Sequence, residues 1–573
     1  PLTPENWNQA QTVTVVGVDD GDSDGNQTTD MTISVADATS DDGYDSLADT
    51  TVAVTTLDNE PIILTTTGTS GADNIVLNLT GAGAGNIEGV GGTNNFTDVD
   101  GFVFAGGDGN DTLTINLNGQ MIPSSGIVFN GGAGGNDKLV VVGSNNETTV
   151  YTPDATTFGD GVVVVDGVTI TFTGLEPVDI SGMANATLDL PGANDVLTVQ
   201  TGVDFATGNS EALRVSGSSG GVNIEAVAFF NNAAVTIDTS AVDGDDTITI
   251  TGADNAHGNA SLTVATGTGT DVISIGGNVT TSAHQTYNGP VELAAPATLT
   301  STTGNVQLTD SVELNAHTLT LDADDTSSSL SNVSGAGGLT FSGAGRTNLF
   351  TPNSYTGITN ITAGEVWVNG SSSLGATGAT SGTAVADGAE LYLTGNDTYA
   401  EDLALAGILA VGVASNGVTW SGPIVVSGGN AEFELDSAPD SLTVSGAITG
   451  TDGFSKTGPG TLTLSSAANG YAGDTVLNAG TTFVNGATTA DSDFFVQSGA
   501  VLGGTGAIGG AVTVESGGRL APGTSPGIIN TGNLDLQTGS TLDIEVNGVT
   551  TAGTDYDQVQ VAGSVTLTGT LNL

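Results

Sequence analysis

The chain has 573 residues, 63 of them acidic and 5 basic, for a formal net charge of −58, with 87 glycines and no cysteine. That balance excludes nucleic acid and anionic membrane surfaces as partners, since both demand a basic patch. No disulfide framework is available, and no run of 18 apolar residues exists to span a membrane as a helix.

Apolar residues still make up 37% of the chain, so the glycines do not mark a disordered tract. Val, Ile, Leu and Thr alternate almost throughout, and no segment carries the i, i+3, i+4, i+7 pattern of a helix. The fold class is therefore all-β. So large a one-sign charge repels itself and calls for salt or bound cations. A solvated, solubilising surface is one reading, and calcium binding is the other. Pro1 in place of an initiating Met predicts a processed or partial chain.

Residues 1–60 hold three predicted strands, 11–18, 29–36 and 50–57, joined by acidic loops. The phrases Pro4-Glu5-Asn6-Trp7, Thr12-Val13-Thr14-Val15, Val18-Asp19-Asp20 and Leu57-Asp58-Asn59-Glu60 resemble the second half of a Calx-β domain, an immunoglobulin-like sandwich. Three strands are marginal alone, so chain upstream or a neighbouring subunit is expected to complete the sheet. Asp20, Asp22 and Asp24, followed by Gly25, have the alternate-acid spacing of a calcium loop, although position 12 is Met31 and the loop is no EF-hand. The resemblance implies Asp19, Asp58 and Glu60 as further calcium ligands. A solvated turn is the competing reading.

Residues 61–290 repeat a Gly-rich corner, an Asp and an alternating strand, as in Gly106–Ile115, Gly131–Val141, Pro191–Val199 and Val242–Ile250. Asp111 and Asp137 are 26 residues apart, and Asp246 and Asp271 are 25 apart. A step near 25 residues suits one coil of a β-solenoid and stacks these acids roughly 5 Å apart. The phrase Gly-Gly-Asp-Gly-Asn-Asp at 106–111 resembles the calcium-binding nonapeptide of RTX β-rolls, which implies Asp108, Asn110, Asp111 and Asp137 as ligands. Here the phrase recurs about every 25 residues instead of in tandem. The alternative is that Asn and Asp simply suit the left-handed corner and cap the strand. Segments 150–190 and 200–240 are less regular.

Residues 291–573 contain an internal repeat. Segments 337–370 and 452–486 share Gly-x-Gly (Gly343, Gly345; Gly458, Gly460) and Asn-x-Tyr-x-Gly (Asn353, Tyr355, Gly357; Asn469, Tyr471, Gly473). They also share Thr359 with Thr475 and a closing Val-Asn-Gly. These segments resemble the autotransporter-associated β-strand repeat of secreted bacterial passenger domains. The tail phrases Gly503-Gly504-Thr505-Gly506, Leu520-Ala521-Pro522-Gly523 and Ser525-Pro526-Gly527 are similar to the end of such passengers. The resemblance implies secretion and a right-handed parallel β-helix. About 20 coils after Pro61 would make a rod on the order of 100 Å long.

No catalytic constellation emerges. The five bases, Lys138, Arg214, Arg346, Lys456 and Arg519, lie far apart and read as surface residues. His257 and His284 fall on neighbouring coils at most, and no Ser elbow is present. The expectation is an extracellular structural protein that builds a cell-surface fibre, filament or layer. It would be stiffened by calcium and joined head to tail through its open strand ends. Its partner would then be a second copy of itself. The alternatives are a monomeric passenger-type adhesin that binds cell-surface glycans and, third, a polysaccharide-cleaving β-helix enzyme.

Overall fold

The computed structural model describes residues 8–18, 25–253, 258–325, 327–378 and 381–573. Within them every regular element is a strand. The molecule is a parallel β-solenoid preceded by a small ribbon, and the alternation in the sequence dictates its cross-section. In Thr461–Leu464, for example, the threonines are half-buried and the leucines buried, as period-2 geometry requires. Leu462 pairs with Leu442 on one side and Thr482 on the other, so buried residues stack in ranks down the interior.

The ribbon is β1 (Gln27–Ile33) and β2 (Thr50–Thr56), paired antiparallel. The third predicted strand, 11–18, is not a strand among the described residues, and Val13, Val16 and Val18 are 75%, 79% and 85% exposed. The described residues thus make a two-stranded ribbon in place of half a sandwich.

The solenoid opens with β3 (Ile63–Thr67), β4 (Asn74–Gly81), β5 (Ala84–Glu88), β6 (Asn94–Phe96), β7 (Gly101–Asp108) and β8 (Thr112–Asn116). Strands β3 and β7 begin wall one, and β4 and β8 begin wall two. Strands β5 and β6 fold back antiparallel on β4 and close that wall's first edge. Next come β9 (Ile127–Ala133) and β10 (Lys138–Val142), one on each wall.

The two irregular segments then have a structural cause. Wall one receives a three-strand meander: β11 (Thr148–Pro153), β12 (Gly161–Val165) and β13 (Val168–Thr173). Strand β14 (Val178–Ser181) continues wall two and β15 (Asn185–Asp189) continues wall one. Wall two then receives its own meander: β16 (Asp195–Val203), β17 (Glu211–Ser219) and β18 (Val222–Phe230). Regular parallel stacking resumes at β19 (Ala234–Asp238) and β20 (Thr247–Gly252).

From there most coils run about 18–27 residues, against the expected 25, and the last lengthen to about 30; Thr461 pairs with Thr481, Phe494 with Val512, and Leu534 with Val565. Wall two ends at Val333–Ser334. A third wall runs from Val279–Thr281 to Gly470–Tyr471, then through an Asn469–Thr488 bridge into a four-stranded continuation. A fourth runs from Thr398–Tyr399 to Thr570–Asn572. Wall one is unbroken across the compositional boundary at 290, where Thr286 pairs with Gln307. Its 23 strands, at roughly 4.8 Å each, give a rod on the order of 100 Å long.

Candidate functional site

Three constructions carry the polar chemistry of this rod: two aspartate ladders, an asparagine–tyrosine motif, and an aromatic–carboxylate face on wall one.

The Gly/Asp corners form ladders by a simple rule. Each Asp donates its peptide N–H to the carboxylate of the Asp one coil later. Asp73 N–H donates to Asp111 Oδ1 at 2.8 Å, and Asp111 N–H to Asp137 Oδ1 at 2.7 Å. After the two meanders a second ladder runs from Asp195 N–H to Asp246 Oδ1 (2.8 Å) and from Asp246 N–H to Asp271 Oδ1 (3.0 Å). Buried peptide N–H groups need acceptors, and a carboxylate at a corner supplies one. Burial pushes the carboxyl of Asp137 up, and its bond from Asp111 N–H and the charge of Asp111 work against and with that shift respectively. Asp195 is pushed up to about 6 by burial, opposed by Ser219 and reinforced by Asp246.

Of the candidate calcium ligands, Asp19, Asp20, Asp22 and Asp24 lie outside the described residues. Asp58 accepts N–H groups from Gly25 and Glu60, and Asp58 and Glu60 line a cleft of about 750 Å³ with Asp98 and Asp100. Asp108 and Asn110 are exposed at the corner, and Asn110 accepts from Asn136 N–H. Asp111 and Asp137 are buried in the ladder instead of turned toward Asp108. Among the described residues no group of three or more acidic or histidine side chains is arranged to hold a metal ion. In the ladder, Asp111 and Asp137 each give one carboxylate oxygen to a peptide N–H of the preceding coil.

The repeated Asn-x-Tyr-x-Gly motif ties coils together from inside. Asn353 accepts Val333 N–H and donates to Ser373 O, bridging both neighbouring coils. Asn469 accepts Ile448 N–H and donates to Ala487 O in the same way. The tyrosines are buried, with their hydroxyls on Thr359 (2.6 Å) and Thr475 (2.7 Å). Glycine is required at the last position: a Cβ on Gly357 would sit 2.3 Å from Gly337 O, and one on Gly473 would sit 2.1 Å from Gly453 N.

Arg519 is exposed, as expected of a surface base, but the other four bases are half-buried or buried. Lys456 is fully buried, and its ammonium donates to the carbonyls of Gly458, Gly460 and Ala479 at 2.6, 2.7 and 2.9 Å. Burial pulls it down to about 8. The Gly-rich turn leaves three carbonyls pointing inward, and a three-donor cation satisfies them. Arg214 lies over the Phe205 ring, Lys138 donates to Phe205 O, and Arg519 pairs with Asp543. His284 Nδ1 is within 2.9 Å of Asn305 Oδ1, and His257 lies outside the described residues.

The most distinctive outer face is on wall one. Arg346 lies 4.4 Å over the Trp367 ring, which stacks on Tyr392 at 4.0 Å and 8°. Trp367 Nε1–H donates to Glu365, and the Tyr392 hydroxyl to Asp436. The register places Trp367 beside Tyr392, Glu365 beside Glu390, and Glu434 two strands on. Glu390 is pushed up to about 7 by its burial and then by Glu365, Glu434, Asp436 and Glu432. Trp367 is half-buried and Tyr392 is 8% exposed, so the face offers the Trp367 ring among carboxylates, the chemistry of non-covalent recognition. Sequence reading missed it because its members are spread over about 90 residues and converge only through register.

The Passenger-associated-transport-repeat model matches residues 333–368 and 454–482, the two copies of the Asn–Tyr motif unit. Over 270 residues the chain is 30% identical to the "Adhesin BmaC autotransporter" of Brucella suis biovar 1 (strain 1330). That match covers 39% of this chain and 7% of the relative. No helix among the described residues is long and apolar enough to cross a membrane. The repeat match and the similarity to an autotransporter adhesin indicate a secreted, cell-surface region that resembles autotransporter passengers in these segments.

Proposed function

We propose that the chain is the adhesive rod of a surface passenger, a non-enzymatic scaffold that holds binding faces away from the cell. The observation that carries this reading is the pair of passenger repeats inside an unbroken parallel wall. The similarity to a protein named an adhesin supports it. A stiff rod whose walls present long outward ranks of side chains suits recognition of glycans or matrix surfaces, and the Trp367–Tyr392 face is the best-equipped part. The test is solid-phase binding of the purified chain to glycan arrays, matrix proteins and cells, with Trp367→Ala alongside. Saturable binding weakened by the substitution is expected. A folded chain that binds none of these surfaces contradicts the reading.

A head-to-tail fibre is a second reading, favoured by one observation. Val565, Leu567 and Leu571 continue inward ranks that are buried in the preceding coils, yet are 51%, 64% and 57% exposed. A further β-layer would cover them, whether the next stretch of chain or a second copy supplies it, and this reading takes the copy. In this reading calcium acts at the N-terminal ribbon, through the Asp20–Asp24 loop with Asp58 and Glu60. Sedimentation velocity with calcium and with chelator decides it: calcium-dependent oligomers support it, and a monomer under both conditions rejects it.

A further inference from the structure

The two meanders are complementary. In one coil, wall one gains two extra strands, β11 and β12, which have no opposite number in wall two of that coil. In the next coil wall two gains β16 and β17, and wall one gains none. Each wall therefore widens by two strands, one coil apart, and the inner faces match only after both insertions are in place. Tyr151, Val163 and Val165 on the first insertion, and Leu213, Val215 and Val227 on the second, are all buried in one core.

A buried acid joins them. Glu225 on β18 is 1% exposed and accepts the Tyr151 hydroxyl from β11 at 2.6 Å and the Gly159 N–H from the β11–β12 loop. The loop of the second insertion is also fastened outside. Phe205 and Ala206 N–H groups donate to Asp179 on β14, and Lys138 on β10 donates to Phe205 O. The regular coils lack such reciprocity: each is covered by the coil before and after it, as in other solenoids.

We infer that residues 148–230 form an interlocked clasp whose two insertions open and close as one cooperative unit, whereas the coils from 261 onward open coil by coil. The physical reason is apolar exposure. If the second insertion leaves, the inner faces of β11 and β12 meet water, and if the first leaves, β17 and β18 do. Opening one alone exposes the other's inner face without releasing the other's chain, so it costs more than opening both, and the partial states are not populated. The inference does not depend on what the rod binds.

Hydrogen exchange on the full chain, followed peptide by peptide across a series of sub-denaturing urea concentrations, tests it. In the wild type, amides of 148–165 and 211–230 are expected to converge on one opening free energy and one urea slope. Tyr151→Phe removes only the hydroxyl. It should speed exchange in both insertions by the same factor, about tenfold. The control Tyr355→Phe should speed exchange only in its own coil and the adjacent ones. Separate urea slopes for the two insertions in the wild type, or acceleration by Tyr151→Phe confined to β11–β13, overturns the inference. If a variant does not fold, the wild-type slopes decide alone.

Discussion

The two halves of the rod solve one problem with different residues. Every coil must turn corners, and every corner leaves peptide groups that need partners. In the aspartate ladders of residues 61–290 the partner is a carboxylate, which can only accept: Asp111, Asp137, Asp246 and Asp271 each take one N–H from the preceding coil. In residues 333–488 the partner is an amide, which accepts from one coil and donates to the next, as Asn353 and Asn469 do. The amide ties two coils without charge. The carboxylate brings a charge into a buried stack, where its like-signed neighbours are one coil away. The difference teaches that the acidity of the corners is an electrostatic liability set against a hydrogen-bonding need.

The sharpest break of that comparison is at Lys456, where the C-terminal half does bury a charge. Lys456→Met strands three carbonyls and should lower local stability by about 3 kcal/mol, read as faster exchange over 454–484 in the full chain. Asn469→Ala should cost about 2 kcal/mol, with loss of protection on both flanking coils, since its amide serves both. Asp195→Asn should do the opposite in a pH-dependent way. The carboxyl of Asp195 is pushed up to about 6 by burial and Asp246, so the neutral amide should stabilise by about 1–2 kcal/mol at pH 8, by about half that at pH 5 and by little at pH 3.

The carboxyls raised by burial follow the same sign. Burial raises Glu401 to about 8, Glu390 to about 7, and Asp179 and Asp195 to about 6. Between about pH 4.5 and pH 8 the folded state therefore holds more protons than the unfolded one. Stability from these groups is fully present below their unfolded values and is lost as pH rises through 6 to 8. The thermal midpoint should be higher at pH 5 than at pH 8.5, in scans at fixed salt. A midpoint that rises with pH over this range would show that other groups dominate.

Much of this was legible in the sequence. Alternation with Gly/Asn corners implied parallel coils, and the aligned Gly-x-Gly and Asn-x-Tyr-x-Gly phrases located the passenger repeats. The ladder spacing of Asp111 to Asp137 was right, but its chemistry was open between cation and cap, and the hydrogen bonds show the peptide N–H as partner. Two features carried unused signals. Asp166-Gly167 between Val-rich runs is a strong two-residue hairpin signal, and both residues have positive φ (47° and 87°). It marks the first meander. Lys456 aligns with Phe341 of the other repeat, an inward position, so the alignment alone argued for a buried amine. The Arg346–Trp367–Tyr392 stack had no local signal, because coil lengths vary and only the register brings those residues together.

The measurement that bears most directly on the adhesive reading is attachment. The chain would be displayed on a non-adherent bacterium and the bacteria counted on host-cell and matrix-coated surfaces, with display verified by antibody. The account predicts attachment well above the undisplayed control, reduced by Trp367→Ala at equal display. Equal attachment with and without a fully displayed, folded chain would contradict it.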